Sequence, residues 1–176
     1  VLVTGAGIGY IIGCLITYGH MHNFIVTLAV LLIIRGFMLA FSEGAPVNGF
    51  NNPNADVFYW LGHQKAFYIP GIGKITMAVL AMGLVFLISH IILKHHKFGR
   101  ELYAIGGNRK AALALGINAD SRIRQVYMIS GLLAALAGWM LAGRVVSIQS
   151  NLGEGFIFTV FAGAVIGLSL IHISEP

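Results

Sequence analysis

Apolar residues fill positions 1–18, 24–41, 75–93 and 125–146 almost without interruption, and another such run opens at Phe156. About 18 apolar residues, each rising 1.5 Å in a helix, suffice to cross a hydrocarbon core roughly 30 Å thick. The pattern predicts an all-α, polytopic transmembrane helix bundle, with spans over residues 1–18, 24–41, 75–93 and 125–146 and a shortened one over 156–167. His20, Met21, His22 and Asn23 make a turn so brief that the first two helices are expected to be antiparallel neighbours. Residues 42–74 form a long polar interval, in which Pro46, Pro53 and Pro70 with several Gly and Asn favour turns over helix. A second, basic interval covers residues 94–124.

Composition agrees with this picture, since 57% of residues are hydrophobic and 10% charged, too few charges for the surface of a soluble domain. The net charge of +5 is not a nucleic-acid signature, because the cations gather in one loop rather than along a face interleaved with aromatics. In residues 94–124, Lys94, Lys97, Arg100, Arg109, Lys110, Arg122 and Arg124 are opposed only by Glu101 and Asp120. By the positive-inside rule this interval is expected to stay cytoplasmic, which places residues 42–74 and 147–155 outside. In the first outer interval Phe58, Tyr59, Trp60, Phe67 and Tyr68 suit a short element lying at the lipid headgroups. Cys14 is the single cysteine, so no intramolecular disulfide can form and its thiol is expected to serve in packing.

Small residues at helical spacing indicate how the spans meet. Gly5, Gly9 and Gly13 stack on one face, as do Ser130, Ala134, Gly138 and Ala142. In lipid, helices associate through close backbone approach rather than a hydrophobic drive, and such faces permit it. Two arginines stand within or at the end of spans, where a cation at mid-membrane costs about 2.5 to 3.5 kcal/mol on insertion scales. Arg35 is expected to snorkel toward the outer end of its helix. Arg144 reads equally as structural or as facing a polar cavity.

Soluble catalytic chemistry finds no support. Val3, Thr4, Gly5, Ala6, Gly7, Ile8 and Gly9 resemble a dinucleotide-binding glycine turn, but the ribose-binding acid expected about 20 residues later is absent from the uncharged stretch 24–34. The seven histidines include His20 with His22 and His95 with His96, yet none has a cysteine or acid at ligand spacing, so no metal site is expected. No serine, histidine and acid fall into a pattern that nominates a nucleophile and its base.

The most informative stretch lies inside the basic interval. Gly106 and Gly107 predict a turn, Asn108 an N-cap, Ala111 to Leu115 a short helix, and Gly116 its C-terminal stop. A helix this short is unstable alone, which predicts a small docking helix packed on a neighbouring surface and presented to the cytoplasm.

GRELYAIGGNRKAALALGI followed by SGLLAALAG resembles the permeases of ribose-type sugar ABC importers, binding-protein-dependent inner-membrane components. FIVTLAVLLIIRG, GAPVNGF, SIQSNLGEGF and AVIG fit the same family in the same order, so the resemblance covers nearly all of residues 1–167. It implies a fragment of a roughly ten-span type II ABC importer permease, a non-catalytic bacterial inner-membrane subunit that needs no cofactor of its own. The implied partners are an ABC ATPase subunit, a second permease copy forming a homodimer, a periplasmic or lipid-anchored sugar-binding protein and membrane lipid. The short helix then corresponds to the coupling helix that docks on the ATPase. Gly106, Gly107, Asn108, Lys110, Ala111, Ala112, Gly116 and Ile117 form this site, with Lys110 standing where the family usually carries an acid. Asn48, Phe50, Arg144, Gln149, Asn151 and Phe156 are the candidates for the outer mouth of a sugar pathway. The absence of a Walker A sequence, G-x-x-x-x-G-K-[ST], fits a permease whose ATP chemistry belongs to a partner. A permease for branched-chain amino acids or another small solute is the alternative, and a membrane scaffold a more distant one.

The chain opens inside an apolar run and reads as part of a longer protein. Residues 168–176, LSLIHISEP, read as a translated sequencing-adapter scar, which leaves residues 1–167 as the permease fragment.

Overall fold

The computed structural model describes residues 1–48, 65–69, 73–145, 147–148 and 152–173. Helices dominate: α1 (Leu2–Gly19), α2 (Asn23–Ser42), α3 (Met77–His95), α4 (Lys97–Gly107), α5 (Arg109–Ala114), α6 (Ala119–Arg144) and α7 (Glu154–Ile173). Among the described residues α1, α2, α3 and α6 are long and apolar enough to cross a membrane. With the apolar composition, this makes the chain a multi-pass membrane protein. Their threonine hydroxyls are satisfied within their own helices, as lipid requires. The Thr17 hydroxyl donates to the Gly13 carbonyl at 2.9 Å, and that of Thr27 to the Asn23 carbonyl at 3.0 Å.

The dominant packing is between α1 and α6, which run antiparallel. Gly5, Gly9 and Gly13 supply the α1 side of this seam. A Cβ at Gly13 would stand 2.8 Å from the Arg124 Cα, and one at Gly9 would collide with the Tyr127 carbonyl oxygen. On α6 the seam uses Arg124, Tyr127, Met128, Gly131 and Ala135. This corrects the small-residue face expected at Ser130, Ala134, Gly138 and Ala142, since a Cβ at Gly138 would meet nothing within 4 Å. The seam passes through Gly131, where a Cβ would run into the Gly5 carbonyl. Arg124 also lies over the ring of Tyr18, 5.0 Å from its centroid, a cation–π contact that fastens the lower end of the seam.

Two short antiparallel strand pairs supplement the helices. In one, β1 (Val47–Asn48) pairs with β4 (Ser147–Ile148), Val47 opposite Ile148 and Asn48 opposite Ser147. In the other, β2 (Lys65–Ile69) pairs with β3 (Gly73–Thr76), which leads directly into α3. Of the aromatic residues expected at the headgroups, Phe67 and Tyr68 lie on β2, and Phe58, Tyr59 and Trp60 fall outside the described residues.

Helix limits differ from the apolar runs where capping decides them. α6 begins at Ala119 rather than near residue 125, because the Asn118 carboxamide accepts from the Ser121 backbone N–H at 3.1 Å and Asp120 occupies the favourable N-terminal turn. α7 starts at Glu154 and continues to Ile173, past residue 167. Large apolar side chains remain open on most helices, Phe86 at 70% and Phe41 at 77% exposure among them. A surface of that kind requires lipid or protein neighbours to cover it.

Candidate functional site

The basic interval folds as a helical elbow between two membrane-length helices. At its entrance His96 turns the chain, its Nδ1 accepting from the Phe98 backbone N–H at 3.2 Å to cap α4. Gly99 is buried so close to the end of α3 that a Cβ there would lie 2.6 Å from the Leu93 Cα. α4 is amphipathic: Phe98, Leu102 and Ile105 recur on one half-buried face while Tyr103 is 68% exposed.

Asn108 joins α4 to α5. Its backbone is extended, φ −154° and ψ 103°, and it serves at once as the C-cap of α4 and the N-cap of α5. Its carboxamide oxygen accepts from the Ala111 backbone N–H at 3.1 Å, while its own N–H donates to the Ala104 carbonyl at 3.1 Å. The break therefore comes at Asn108 and corrects the turn expected at Gly106 and Gly107, which complete the last turn of α4. Glycine weakens a helix without forbidding it, and a capping asparagine decides the boundary more firmly.

α5 ends on a Schellman motif. The Gly116 N–H donates to the Leu113 carbonyl at 3.0 Å and the Ile117 N–H to the Ala112 carbonyl at 3.1 Å, with Gly116 left-handed at φ +79°. Ala112 faces inward at 1% exposure, whereas Leu113 and Leu115 stand 53% and 78% exposed. Ala111 and Lys110 lie on the open side, and Lys110 occupies the first turn, where the helix dipole favours an acid over a cation.

Ion pairs lock the elbow to the base of α6. Arg109 reaches Asp120 at 2.5 Å. The Arg122 Nε donates to Glu101 at 2.5 Å, its Nη1 to the Gln125 Oε1 at 2.8 Å, and its guanidinium lies over the Phe98 ring, 5.5 Å from the centroid. Short helices that would not persist alone are thus braced against the base of α6, with Leu113 and Leu115 left exposed. Sequence reasoning placed α5 but missed α4 as a separate helix, as well as the Glu101–Arg122 tie. The 98, 102, 105 periodicity and the lone Glu101 among cations carried those signals. A double-mutant cycle of Glu101→Gln with Arg122→Gln is expected to give a coupling of about 1.5 kcal/mol, read from hydrogen exchange of α4 and α5 amides; independent effects would contradict the lock.

At the opposite end the predicted pathway residues divide. Asn48 stands opposite Ser147 in the β1–β4 pair, which brings it near the end of α6 where Arg144 is exposed. Arg144 closes α6, a position at which a cation complements the helix dipole. Phe156 lies in the first turn of α7 at 57% exposure. Phe50, Gln149 and Asn151 lie outside the described residues. Arg35 lines a cleft of about 440 Å³ with Ile12, Thr27 and Ile157, between α1, α2 and the start of α7. Reading it as a snorkelling cation did not reveal this placement. Among the described residues no cluster of metal-ligating side chains occurs.

Comparison with known proteins places these elements in a family. The family described as "Branched-chain amino acid transport system / permease component" matches residues 1–173. The chain belongs to this permease family. Within it, the chain is 37% identical over 166 residues to the ribose import permease protein RbsC of Escherichia coli K12, covering 94% of this chain and 50% of that one. It is 38% identical over 158 residues to RbsC of Bacillus subtilis 168, covering 88% and 46%. With the D-allose transport system permease protein AlsC of Escherichia coli K12 it shares 34% identity over 166 residues, covering 94% and 48%. The chain spans about half the length of these permeases. No solved structure matches it.

Proposed function

We propose that this permease chain forms part of the transmembrane pathway of a bacterial ATP-driven monosaccharide importer of the ribose type, in the cytoplasmic membrane. The observation that carries the reading is the elbow, a short capped helix with Leu113 and Leu115 exposed between two membrane-length helices, in a chain whose relatives are named ribose and allose permeases. ATP hydrolysis belongs to a partner ATPase that docks on the elbow. A second permease copy completes the pathway, and a periplasmic or lipid-anchored binding protein delivers the sugar.

In this reading closure of the ATPases moves α4 and α5 as a unit and tilts α3 and α6, so that the pathway opens to alternate sides. Gly106, Gly107, Asn108, Lys110, Ala111, Ala112, Gly116 and Ile117 constitute the coupling site. A sugar cannot enter hydrocarbon, where each unpaired hydroxyl costs several kcal/mol, so a polar or aromatic lining is needed; Asn48, Phe50, Arg144, Gln149, Asn151 and Phe156 supply it near the outer mouth. Residues 94–124 are cytoplasmic, and residues 168–176 are adapter-derived, which amplification of the genomic locus across that junction tests.

The family description favours a second reading, a permease for branched-chain amino acids. Uptake of labelled pentoses by the full-length complex, with leucine as competitor, separates the two. Pentose uptake resistant to leucine is expected; leucine uptake without pentose uptake would reverse the assignment. For topology, a reporter active only in the periplasm is expected to give signal when fused after Asn52 and none after Asn118. Strong signal at the second site would overturn the cytoplasmic placement.

A further inference from the structure

Beneath the elbow, between the start of α4, the glycine stop of α5 and the first turn of α6, lies an open cleft of about 630 Å³. Lys97, Arg100, Glu101, Ser121 and Arg122 line its polar walls, and Leu115 its apolar edge. The charges do not cancel. Arg122 is engaged by Glu101, whereas among the described residues neither Lys97 nor Arg100 has an acidic partner. Both are exposed within the cleft. Lys97 follows the end of α3 by two residues, so the two cations sit where hydrocarbon gives way to headgroups. The cleft also takes in Leu115, Gly116 and Ile117 at the end of α5, so what points to a lipid is the position of the two unopposed cations beside the end of α3.

We propose that this cleft holds the headgroup of an anionic phospholipid, its phosphodiester between Lys97 and Arg100. Basic clefts at the end of membrane helices attract such lipids because the anionic leaflet surface concentrates them there, and each cation adds to the attraction. The Ser121 hydroxyl offers a hydrogen-bond donor to the phosphate oxygens or the headgroup hydroxyls. The proposal rests on α3 and α6 spanning the membrane and on the cytoplasmic side of the elbow proposed above; it is independent of the transported solute. The lipid fixes the elbow at a set depth relative to the membrane surface.

The test uses the full-length permease in complex with its ATPase, reconstituted in nanodiscs of phosphatidylcholine with graded phosphatidylglycerol, and native mass spectrometry to count retained lipid. Wild type is expected to retain phosphatidylglycerol over phosphatidylcholine, and K97Q/R100Q to lower that apparent affinity roughly 10- to 30-fold, as expected for two juxtamembrane cations. Neither side chain carries an interaction that holds the elbow, so the variant is expected to fold, and an unchanged melting temperature verifies this. Equal retention by wild type and variant overturns the proposal. Full displacement of lipid by inorganic phosphate, with no preference for phosphatidylglycerol, reassigns the cleft to a soluble anion and overturns it also. Loss of the ATPase from K97Q/R100Q to the same extent in every bilayer identifies the cleft as a protein contact instead, and the lipid site is then equally refuted. An error in sidedness reads out separately, as labelling of Tyr103→Cys, in a full-length permease whose other cysteines, Cys14 included, are replaced by serine, by an impermeant maleimide from the periplasmic face.

Discussion

Gly116→Val in the full-length permease is expected to leave membrane insertion intact and to lower sugar uptake per ATP hydrolysed by roughly ten-fold or more. Gly116 is left-handed at φ +79°, a conformation that costs a residue with a side chain about 1 to 2 kcal/mol, and a β-branched one more; about 1.4 kcal/mol is already a factor of ten. The strain is relieved by undoing the Schellman motif. Both of its bonds, from Gly116 to Leu113 and from Ile117 to Ala112, are then lost, and the stub of α5 unwinds from its C-terminal end. Ala112→Phe is expected to act in the same direction by a different route, since a side chain 1% exposed has no space for a ring. Gly83→Ala is the control: it lies in α3, where an added Cβ meets nothing within 4 Å. Uptake and phosphate release measured together in proteoliposomes decide the matter. Unaltered coupling in both variants would remove α5 from the coupling site.

The second large effect belongs to the seam between α1 and α6. Gly9→Ile places a Cβ against the Tyr127 carbonyl and within 3.1 Å of the Met128 Cα. Backbone cannot yield as a flexible side chain can, so the helices must separate along the seam. Overpacking of this kind costs about 1 to 3 kcal/mol, and in lipid the lost close approach is not compensated by burial elsewhere. The expected result is a lowered melting temperature of the purified permease in detergent and reduced accumulation in membranes. Gly7→Ile, where a Cβ meets nothing within 4 Å, is expected to leave both near wild type. Similar losses in the two variants would mean that the α1 glycines matter for propensity alone.

The helices were legible because hydrocarbon imposes one requirement, a long apolar run, and residues 1–18, 24–41, 75–93 and 125–146 meet it in plain view. The short helix α5 was legible for a local reason: Asn108 and Gly116 carry their capping roles in their own chemistry, and both caps form. Less visible was everything that depends on a second element. Gly106 and Gly107 pointed to a turn, but the deciding interaction was the Asn108 N–H reaching back to Ala104. The small residues Ser130, Ala134, Gly138 and Ala142 share a face by spacing alone, and only the register of α1 against α6 selects Gly131 and Ala135 instead. Likewise the partners of Arg109 and Arg122, eleven and twenty-one residues away, could not be chosen from a list of charges.

The β1–β4 pairing has a mechanical consequence. It stitches the strand that follows α2 to the strand that follows α6, joining two distant stretches of chain by backbone hydrogen bonds at the end remote from the elbow. Of the two helices that carry the elbow, α3 and α6, only α6 is tied at its far end in this way among the described residues, and its tie is to α2.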